Sequence, residues 1–504
     1  MNSKKILILG MSPMPFENDI KVYGTGIRTW QFVRPLLEKG HRLCIAGYAI
    51  PSAYPGGFKS IRKKKYNHDG YEFEYHILEK DDFENSSILT ELAGSFDPDC
   101  IVGCTFYPSY YGAKIKNALA GSGGQAKTPP LWADLFGHAM AEAQARAFMD
   151  GDDGPLFHYW NSEYNILKTA DIFSCVSRRQ EYATIGELGA AGRLNRFTSG
   201  YEFTNTIPCG LPLEDYKHKK TVIRGKQGIK KDDFVVLWSG GYNTWTDVDT
   251  LFNGLIKAME KDPSIKFVST GGEIPEQDIR TYPYFLSLIK SSVFSGRFIM
   301  KGWIPGDEIP DHYLEADIGI NIDKDIYEVR LGSKNRILDW FRAGLCVLSS
   351  DVCELTGLMA DAGAGYVFRP ADPEELAGKL LMLASDREMV KAAGRAGKQF
   401  GLREFNFNKT TRALQQWVDD PVAAPDYGKV SGLFLEREKA LENLGHIADR
   451  QKKMIEERDV QISELKTIIK ARAPYRVYNY LKIVGRKIKR RNTIEDTKRE
   501  DLKT

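Results

Sequence analysis

The feature that most constrains this chain is a repeated alternation of short, wholly apolar runs with longer segments of helical period. Ile6 to Leu9, Cys100 to Cys104, Pro130 to Asp134 and Ile172 to Val176 carry almost no polar residue. Runs this short, without in-and-out alternation, read as strands buried on both faces, as in a parallel sheet covered by helices. Strand Ile6 to Leu9 leads through a Gly- and Pro-rich loop into helix Ile27 to Lys39, then Gly40-His41 and strand Arg42 to Ala46. The charged, aromatic stretch Pro51 to Glu79 predicts a hairpin or excursion. A second unit starts near Asp233, with strand Phe234 to Trp238, Ser-Gly-Gly241 and a helix from Asp249 to Glu260. Its later strands are Lys266 to Ser269, Phe298 to Lys301, Ile318 to Ile322, Leu345 to Ser349 and Gly365 to Phe368. The expectation is an α/β chain with two doubly wound domains facing a ligand cleft, joined near Leu213 to Gly228.

Several classes are excluded at this level. No run of about 18 apolar residues occurs, and the start goes directly into a strand pattern instead of a signal peptide, so a cytoplasmic chain without a membrane span is expected. The seven cysteines form no CxxC pair and sit mostly in apolar runs, which predicts buried free thiols. GxxxxGK[ST], HExxH and GxSxG are absent, and Gly10-Met-Ser-Pro-Met-Pro15 lacks dinucleotide glycine spacing, disfavouring a nicotinamide enzyme. Asp150-Gly-Asp-Asp-Gly154 and Asp323-Lys-Asp325 read as solvated loops, not metal sites.

Charge is unevenly spread. Leu465 to Ile494 holds ten Lys or Arg and no acid, so of a net +3 the remainder carries −7. An acidic body argues against nucleic-acid binding. Beyond Pro421-Val-Ala-Ala-Pro425, Leu441, Ala448, Ile455, Ile462 and Ile469 recur every seven residues, with Gln451, Arg458 and Arg472 weakening the seam. This predicts a long helix or weak coiled coil over 426–472, able to form a homo-oligomer. The tail 473–504 mixes Tyr475, Val477, Tyr478, Tyr480, Leu481, Ile483, Val484 and Ile488 with its cations. That composition suits an anionic membrane surface, with partner-protein binding, RNA binding or a solvated helix as alternatives. Lys59 to Lys65 is a second basic stretch, read as a solvated loop.

The segment Tyr327-Glu-Val-Arg-Leu-Gly-Ser-Lys-Asn-Arg-Ile-Leu-Asp-Trp-Phe-Arg-Ala-Gly344 places bases and acids at the start of a helix before a buried strand. Such an arrangement suits a nucleotide diphosphate: Arg330, Lys334 or Arg336 offset the phosphates, and Asp339 accepts ribose hydroxyls. An ordinary amphipathic helix with solvated charges is the alternative.

Leu338-Asp-Trp-Phe-Arg-Ala-Gly-Leu-Cys-Val347 resembles the Glu-Ala-Met-Ala-x-Gly-x-Pro-Val element of group 1 (family 4-like) glycosyltransferases. Leu237-Trp-Ser-Gly-Gly241 with Trp245 and Asp247, Lys301-Gly-Trp-Ile304, Ala316-Asp-Ile-Gly319, Ser177-Arg-Arg-Gln180, Gly192-Arg193 and Ile207-Pro-Cys-Gly-Leu-Pro212 are similar to one of its subgroups. The resemblance spans roughly residues 4 to 420. It implies the GT-B fold: a Rossmann-like acceptor domain at 1–213, a Rossmann-like nucleotide-sugar domain at 214–400, and a crossover helix and linker at 401–425. It further implies transfer from a nucleotide-sugar donor to a hydroxyl of a glycan or lipid-linked glycan in cell-surface polysaccharide synthesis, with retention and without a cofactor or obligatory metal. A location at the inner face of the cell membrane follows from the tail.

Catalytic candidates under the resemblance are His138, Asp134 and Glu328. Donor-binding candidates are Gly240, Gly241, Trp245, Trp303, Ile304, Arg330, Lys334, Arg336 and Asp339. The sequence departs from the family at Leu331, where an acid is usual eight positions before Asp339, and at Tyr242 to Thr246, where Arg and Lys are usual. A catalytically silent, glycan-binding or scaffold subunit is therefore the main alternative, and a sugar-nucleotide epimerase a further one.

Overall fold

The computed structural model describes residues 3–17, 21–121, 128–275, 277–332, 334–429, 432–472, 477 and 479–489. It divides into two units, Met1–Lys429 and Val430–Thr504.

The first unit contains two sheets. Strands β1 (Lys5–Ser12), β2 (Arg42–Ala49), β3 (Ile61–His68), β4 (Tyr71–Leu78), β5 (Cys100–Gly103), β6 (Leu131–Asp134), β7 (Ile172–Cys175) and β8 (Thr204–Thr206) lie in the order β3-β4-β2-β1-β5-β6-β7-β8. All neighbours are parallel except β3 and β4. The 51–79 stretch forms the expected hairpin, and it also joins the sheet. Phe73, Tyr75 and Ile77 of β4 are buried at alternate positions, whereas β3 is a basic edge with exposed Arg62 and Lys65.

Strands β9 (Phe234–Ser239), β10 (Ile265–Thr270), β11 (Phe298–Met300), β12 (Ile318–Asn321), β13 (Cys346–Ser350) and β14 (Gly365–Phe368) form the second sheet, ordered β11-β10-β9-β12-β13-β14 and parallel throughout. β9 is buried at every position, as the unbroken apolar run predicts. In both sheets the strand order reverses at the first strand, β1 between β2 and β5, and β9 between β10 and β12. The crevice of a doubly wound sheet opens at such a point, outside the carboxyl ends of its strands. The loops following β1 and β9 are thereby set as ligand loops.

Tight packing brings each covering helix close to its sheet. A Cβ on Gly10 would stand 2.3 Å from Thr29 of helix Gly24–Glu38, and one on Gly319 of β12 would stand 2.4 Å from Trp340 of helix Asn335–Ala343. After helix Arg387–Glu404 the chain returns to the first sheet. Leu414, Trp417 and Val418 of helix Arg412–Asp419 join that sheet's core, with Trp417 5.6 Å edge-on to Trp132. All seven cysteines are buried and none is in a disulfide.

The second unit is described by helix Gly432–Arg472 and helical residues 477 and 479–489. Its seven-residue repeat is exposed along its length, from Leu441 at 53% to Ile455 at 61% and Ile469 at 40%. Val477, Tyr480, Leu481, Ile483 and Ile488 are likewise exposed. The remaining tail positions of the sequence reading, Pro474, Tyr475, Arg476, Tyr478, Arg490 and Arg491, lie outside the described residues. Among the described residues no helix is long and apolar enough to cross a membrane.

Candidate active site

The loop after β9 turns at Gly240 with φ +95°, a conformation that favours glycine. A Cβ on Gly271 would stand 1.8 Å from the Gly240 carbonyl oxygen, so the loops after β9 and β10 meet backbone to backbone. Trp238 Nε1 donates to the Gly240 carbonyl at 3.0 Å, flattening its indole beneath this turn. Arg336 lies over that indole, its guanidinium carbon 4.0 Å from the ring centroid, and Nη2 reaches the Gly241 carbonyl at 3.4 Å. Arg336 Nη1 is buried without a hydrogen-bond partner. A guanidinium left one donor short in a low-dielectric setting strongly favours an incoming anion.

Helix Asn335–Ala343 begins beside it with no side-chain cap, so its positive end is not offset by a carboxylate. A Cβ on Gly24 would stand 2.8 Å from Asn335 Nδ2, which places the amino end of helix Gly24–Glu38 against the amino end of helix Asn335–Ala343. Two helix amino termini, one from each sheet's domain, thus converge with Arg336 and Lys334. Lys334 is 8% exposed, with Nζ 3.6 Å from Asp323, 3.8 Å from Glu328 and 5.5 Å above the Trp245 ring.

Asp323 corrects the sequence reading. It is 4% exposed, accepts from Asn321 Nδ2 at 2.8 Å and is fixed through its own amide to Ser350. Only Asp325 of that stretch is the solvated residue expected. It holds Arg330 in a fork of 2.6 and 2.8 Å, with both side chains nearly half exposed. Arg330 is thus engaged apart from Lys334 and Arg336. Glu328 Oε2 is buried with no hydrogen-bond partner. Burial pushes its carboxyl up to about 7, with nearby Asp323 and Glu142 adding to the rise and Lys334 opposing it. Asp339 accepts from Tyr216 at 3.2 Å, and burial raises its carboxyl to about 6.

Of the other donor candidates, Trp245 is buried, while Trp303 is 42% exposed and anchored by Nε1 to the Glu273 carbonyl. Ile304 is half-buried in the same loop. Lys21 Nζ sits 3.3 Å over the Trp303 ring, a contact between the first domain's β1 loop and the second domain that local sequence pattern does not signal.

The two candidates after β6 are occupied by protein. Each Asp134 oxygen accepts two hydrogen bonds: Oδ1 from Arg28 and Ser174, Oδ2 from Arg28 and the Thr105 amide. Arg28 also donates to the Ile207 and Pro208 carbonyls, so this fully buried pair knits the Ile207-to-Pro212 motif to the sheet. His138 caps helix Ala139–Asp150 with Nδ1, which accepts from the Ala141 amide, and Nε2 stands 3.0 Å from Glu187. Both ring nitrogens are used, leaving neither to accept a proton from a substrate.

The domains also meet through Ser177, which caps helix Arg178–Ala190 and donates to the Leu331 carbonyl at 2.6 Å, and through Arg179, which donates to the Val352 carbonyl at 2.7 Å. A cavity of about 220 Å³ opens nearby between Arg146 and Asp150 of the first domain and Thr244 and Arg280 of the second.

Residues 233–386 match the family described as glycosyl transferases group 1. The solved structures that the chain resembles include the sucrose-phosphate synthase of Thermosynechococcus elongatus, at 16% identity and a TM-score of 0.60, covering 82% of this chain and 98% of that one. HepE of Anabaena, solved in complex with UDP and glucose, is 14% identical with a TM-score of 0.58, over 82% and 99% of the two chains. The trehalose-6-phosphate synthase OtsA gives 11% identity and a TM-score of 0.62, over 83% and 100%. No curated protein matches in sequence. Residues 233–386 are thus similar to group 1 glycosyl transferases, and the two sheets together have the GT-B fold of these solved structures.

Proposed function

We propose that the enzyme transfers a sugar from a nucleotide-sugar donor to a hydroxyl of a glycan or lipid-linked glycan, in cell-surface polysaccharide synthesis and with retention of configuration. The carrying observation is the unpartnered, buried Nη1 of Arg336 beside Gly240, Gly241 and the uncapped start of helix Asn335–Ala343. A nucleoside diphosphate leaving group supplies the anion that this pocket lacks. Lys334 and Arg336 neutralise it, and no metal is then required for its departure. Glu328 accepts a hydroxyl of the donor sugar, Asp339 those of the ribose, and backbone near Trp303 and Ile304 reads the base. Asp134 and His138 shape the loop after β6 in this reading, and Arg330 contributes only by releasing Asp325. HepE has been solved with UDP-glucose, and a trehalose-6-phosphate protein of E. coli with UDP-2-fluoro glucose, which makes UDP sugars the first donors to try.

The acceptor approaches from the cavity between Arg146 and Arg280. The basic tail holds the enzyme at the anionic cytoplasmic face of the cell membrane, and helix Gly432–Arg472 pairs two chains. Incubation with a panel of nucleotide sugars and membrane-extracted or soluble glycan acceptors, scored by nucleoside diphosphate release, tests the reaction. Acceptor-dependent release with one donor is expected; no release with any donor refutes it.

A further inference from the structure

The donor pocket holds one acid, Asp323, to which the proposed reaction gives no task. It lies just beyond β12, at the carboxyl end of the second sheet, where the crevice opens. Its amide donates to Ser350 Oγ at 2.9 Å, and its Oδ2 accepts from Asn321 Nδ2 at 2.8 Å. Asn321 Nδ2 also donates to Ser349 Oγ at 3.0 Å, so the carboxylate is tied to the ends of both β12 and β13. The other oxygen, Oδ1, stands 3.6 Å from Lys334 Nζ. The geometry assigns to Asp323 the role of positioning residue for Lys334, holding that ammonium charged and aimed at the donor's diphosphate. The assignment rests on the reading of this pocket as a diphosphate site.

Two features of the pair carry this. Lys334 is 8% exposed, and an ammonium taken out of water tends to lose its proton unless an anion is fixed beside it. Asp323, itself 4% exposed, is that anion, and its hydrogen bonds keep it from turning away. The distance is the second feature. At 3.6 Å the pair attracts without forming a hydrogen bond, and Glu328 on the other side is no closer than 3.8 Å. The ammonium donors therefore stay available to phosphate oxygens, where a closer carboxylate would occupy them.

The other groups around Nζ do not replace Asp323. Glu328, on helix Tyr327–Leu331, has Oε2 buried with no hydrogen-bond partner, and its carboxyl, raised by burial to about 7, is partly protonated at neutral pH. Glu142 of helix Ala139–Asp150 adds to that rise. Cys353, which precedes helix Glu354–Asp361, has its thiol pushed up by burial and stays neutral. Trp245, 5.5 Å from Nζ, carries no charge. Arg336, in the helix that Lys334 precedes, opposes the ammonium. Burial pulls Lys334 down, and Asp323, followed by Glu328, more than restores it, so the amine titrates above its ordinary 10.5.

The test measures UDP affinity by calorimetry across about pH 7.5–9 for the unaltered full chain, Asp323→Asn, and Asp323→Asn combined with Lys334→Arg. Relative to the unaltered chain, Asp323→Asn should lose at least about fivefold more affinity at the upper end than at the lower, as Lys334 gives up its proton. The double variant should not show that added pH dependence, because a guanidinium stays charged throughout. Acetylation of Lys334 against pH, followed by peptide mass spectrometry without nucleotide, reads the same proton directly. Its midpoint should fall by at least about one pH unit in Asp323→Asn. An affinity loss that is uniform in pH, no loss at all, or equal acetylation midpoints in the two chains overturns the positioning role, while UDP binding by the unaltered chain leaves the diphosphate site standing. No binding of UDP, GDP or TDP by the unaltered chain overturns the diphosphate site and, with it, the aim given to Lys334.

Discussion

Arg336 lies 4.0 Å over the centroid of the Trp238 ring, and that stack holds its Nη1 in a buried position with nothing to donate to. The contact is a cation–π interaction that also orients a charge toward the Gly240 turn. Removing the guanidinium should therefore cost donor binding beyond what the lost packing costs in stability. Arg336→Ala is expected to weaken nucleoside diphosphate affinity by about 10- to 100-fold, matching about 1.5–3 kcal/mol for a charge-assisted hydrogen bond, measured calorimetrically. Its melting temperature should fall as well, because the Trp238 stack and the Gly241 contact go with the guanidinium, so affinity is read well below the unfolding range.

Glu328 sets a pH dependence of stability. Its carboxyl is raised from an ordinary 4.5 to about 7, burial being the main cause. The folded chain holds this proton more tightly than the unfolded one, so its contribution to stability is complete below about 4.5 and is lost as pH rises through 7. Glutamine imitates the protonated form at every pH. Glu328→Gln should melt with the unaltered protein at pH 4.5 and above it at pH 8, by about 1–3 kcal/mol of unfolding free energy. Equal melting at both pH values refutes the assignment.

Asp339 gives a second pH signature, in binding. Burial lifts it to about 6, and Tyr216 donates to it at 3.2 Å. Below that pH a proton occupies an oxygen that, in the proposed role of Asp339, accepts ribose hydroxyls. Nucleotide affinity should therefore fall between pH 7 and 5, and Asp339→Asn should bind more weakly at pH 7 with that part of the pH dependence gone. A titration across this range with both proteins decides it.

Asp134 separates a structural from a catalytic part. With four hydrogen bonds accepted and Arg28 as its buried partner, its loss strands a guanidinium. Asp134→Asn should destabilise the fold by about 3–5 kcal/mol in urea unfolding. Asp134→Leu combined with Arg28→Met should recover much of that, a recovery that a purely catalytic aspartate does not give.

The strands were legible because each parallel strand is buried on both faces and has no polar residue to blur it, as in Phe234 to Ser239. β8 went unseen because its three residues are Thr, Asn and Thr, held in place by β7 and not by their own apolarity. In the site, Lys334, Arg336 and Asp339 were visible because they share one helix start. Asp323 was hidden beside Lys324 and Asp325, which look solvated, and its burial comes from β13 through Ser350. Arg330 misled for the converse reason: its charge is matched by Asp325 on its own loop. Lys21 and Gly24 act across a domain boundary, and no local periodicity records a contact of that kind.

Location gives the final test. The body of the chain is acidic and only Leu465 to Ile494 is continuously basic, so attraction to an anionic leaflet has to arise there. Exposed Val477, Tyr480, Leu481 and Ile483 supply the apolar groups for shallow insertion. The proposed pairing of two chains through helix Gly432–Arg472 would place two tails on one particle and raise avidity without new contacts. Deleting residues 473–504 should release the enzyme from phosphatidylglycerol-containing vesicles and leave transfer to a soluble acceptor nearly intact. High salt should release the full chain in the same way, because each cation near the surface contributes about 1 kcal/mol by a screened interaction. Sedimentation of the truncated chain with vesicles as before, together with salt-resistant binding of the full chain, refutes the membrane assignment.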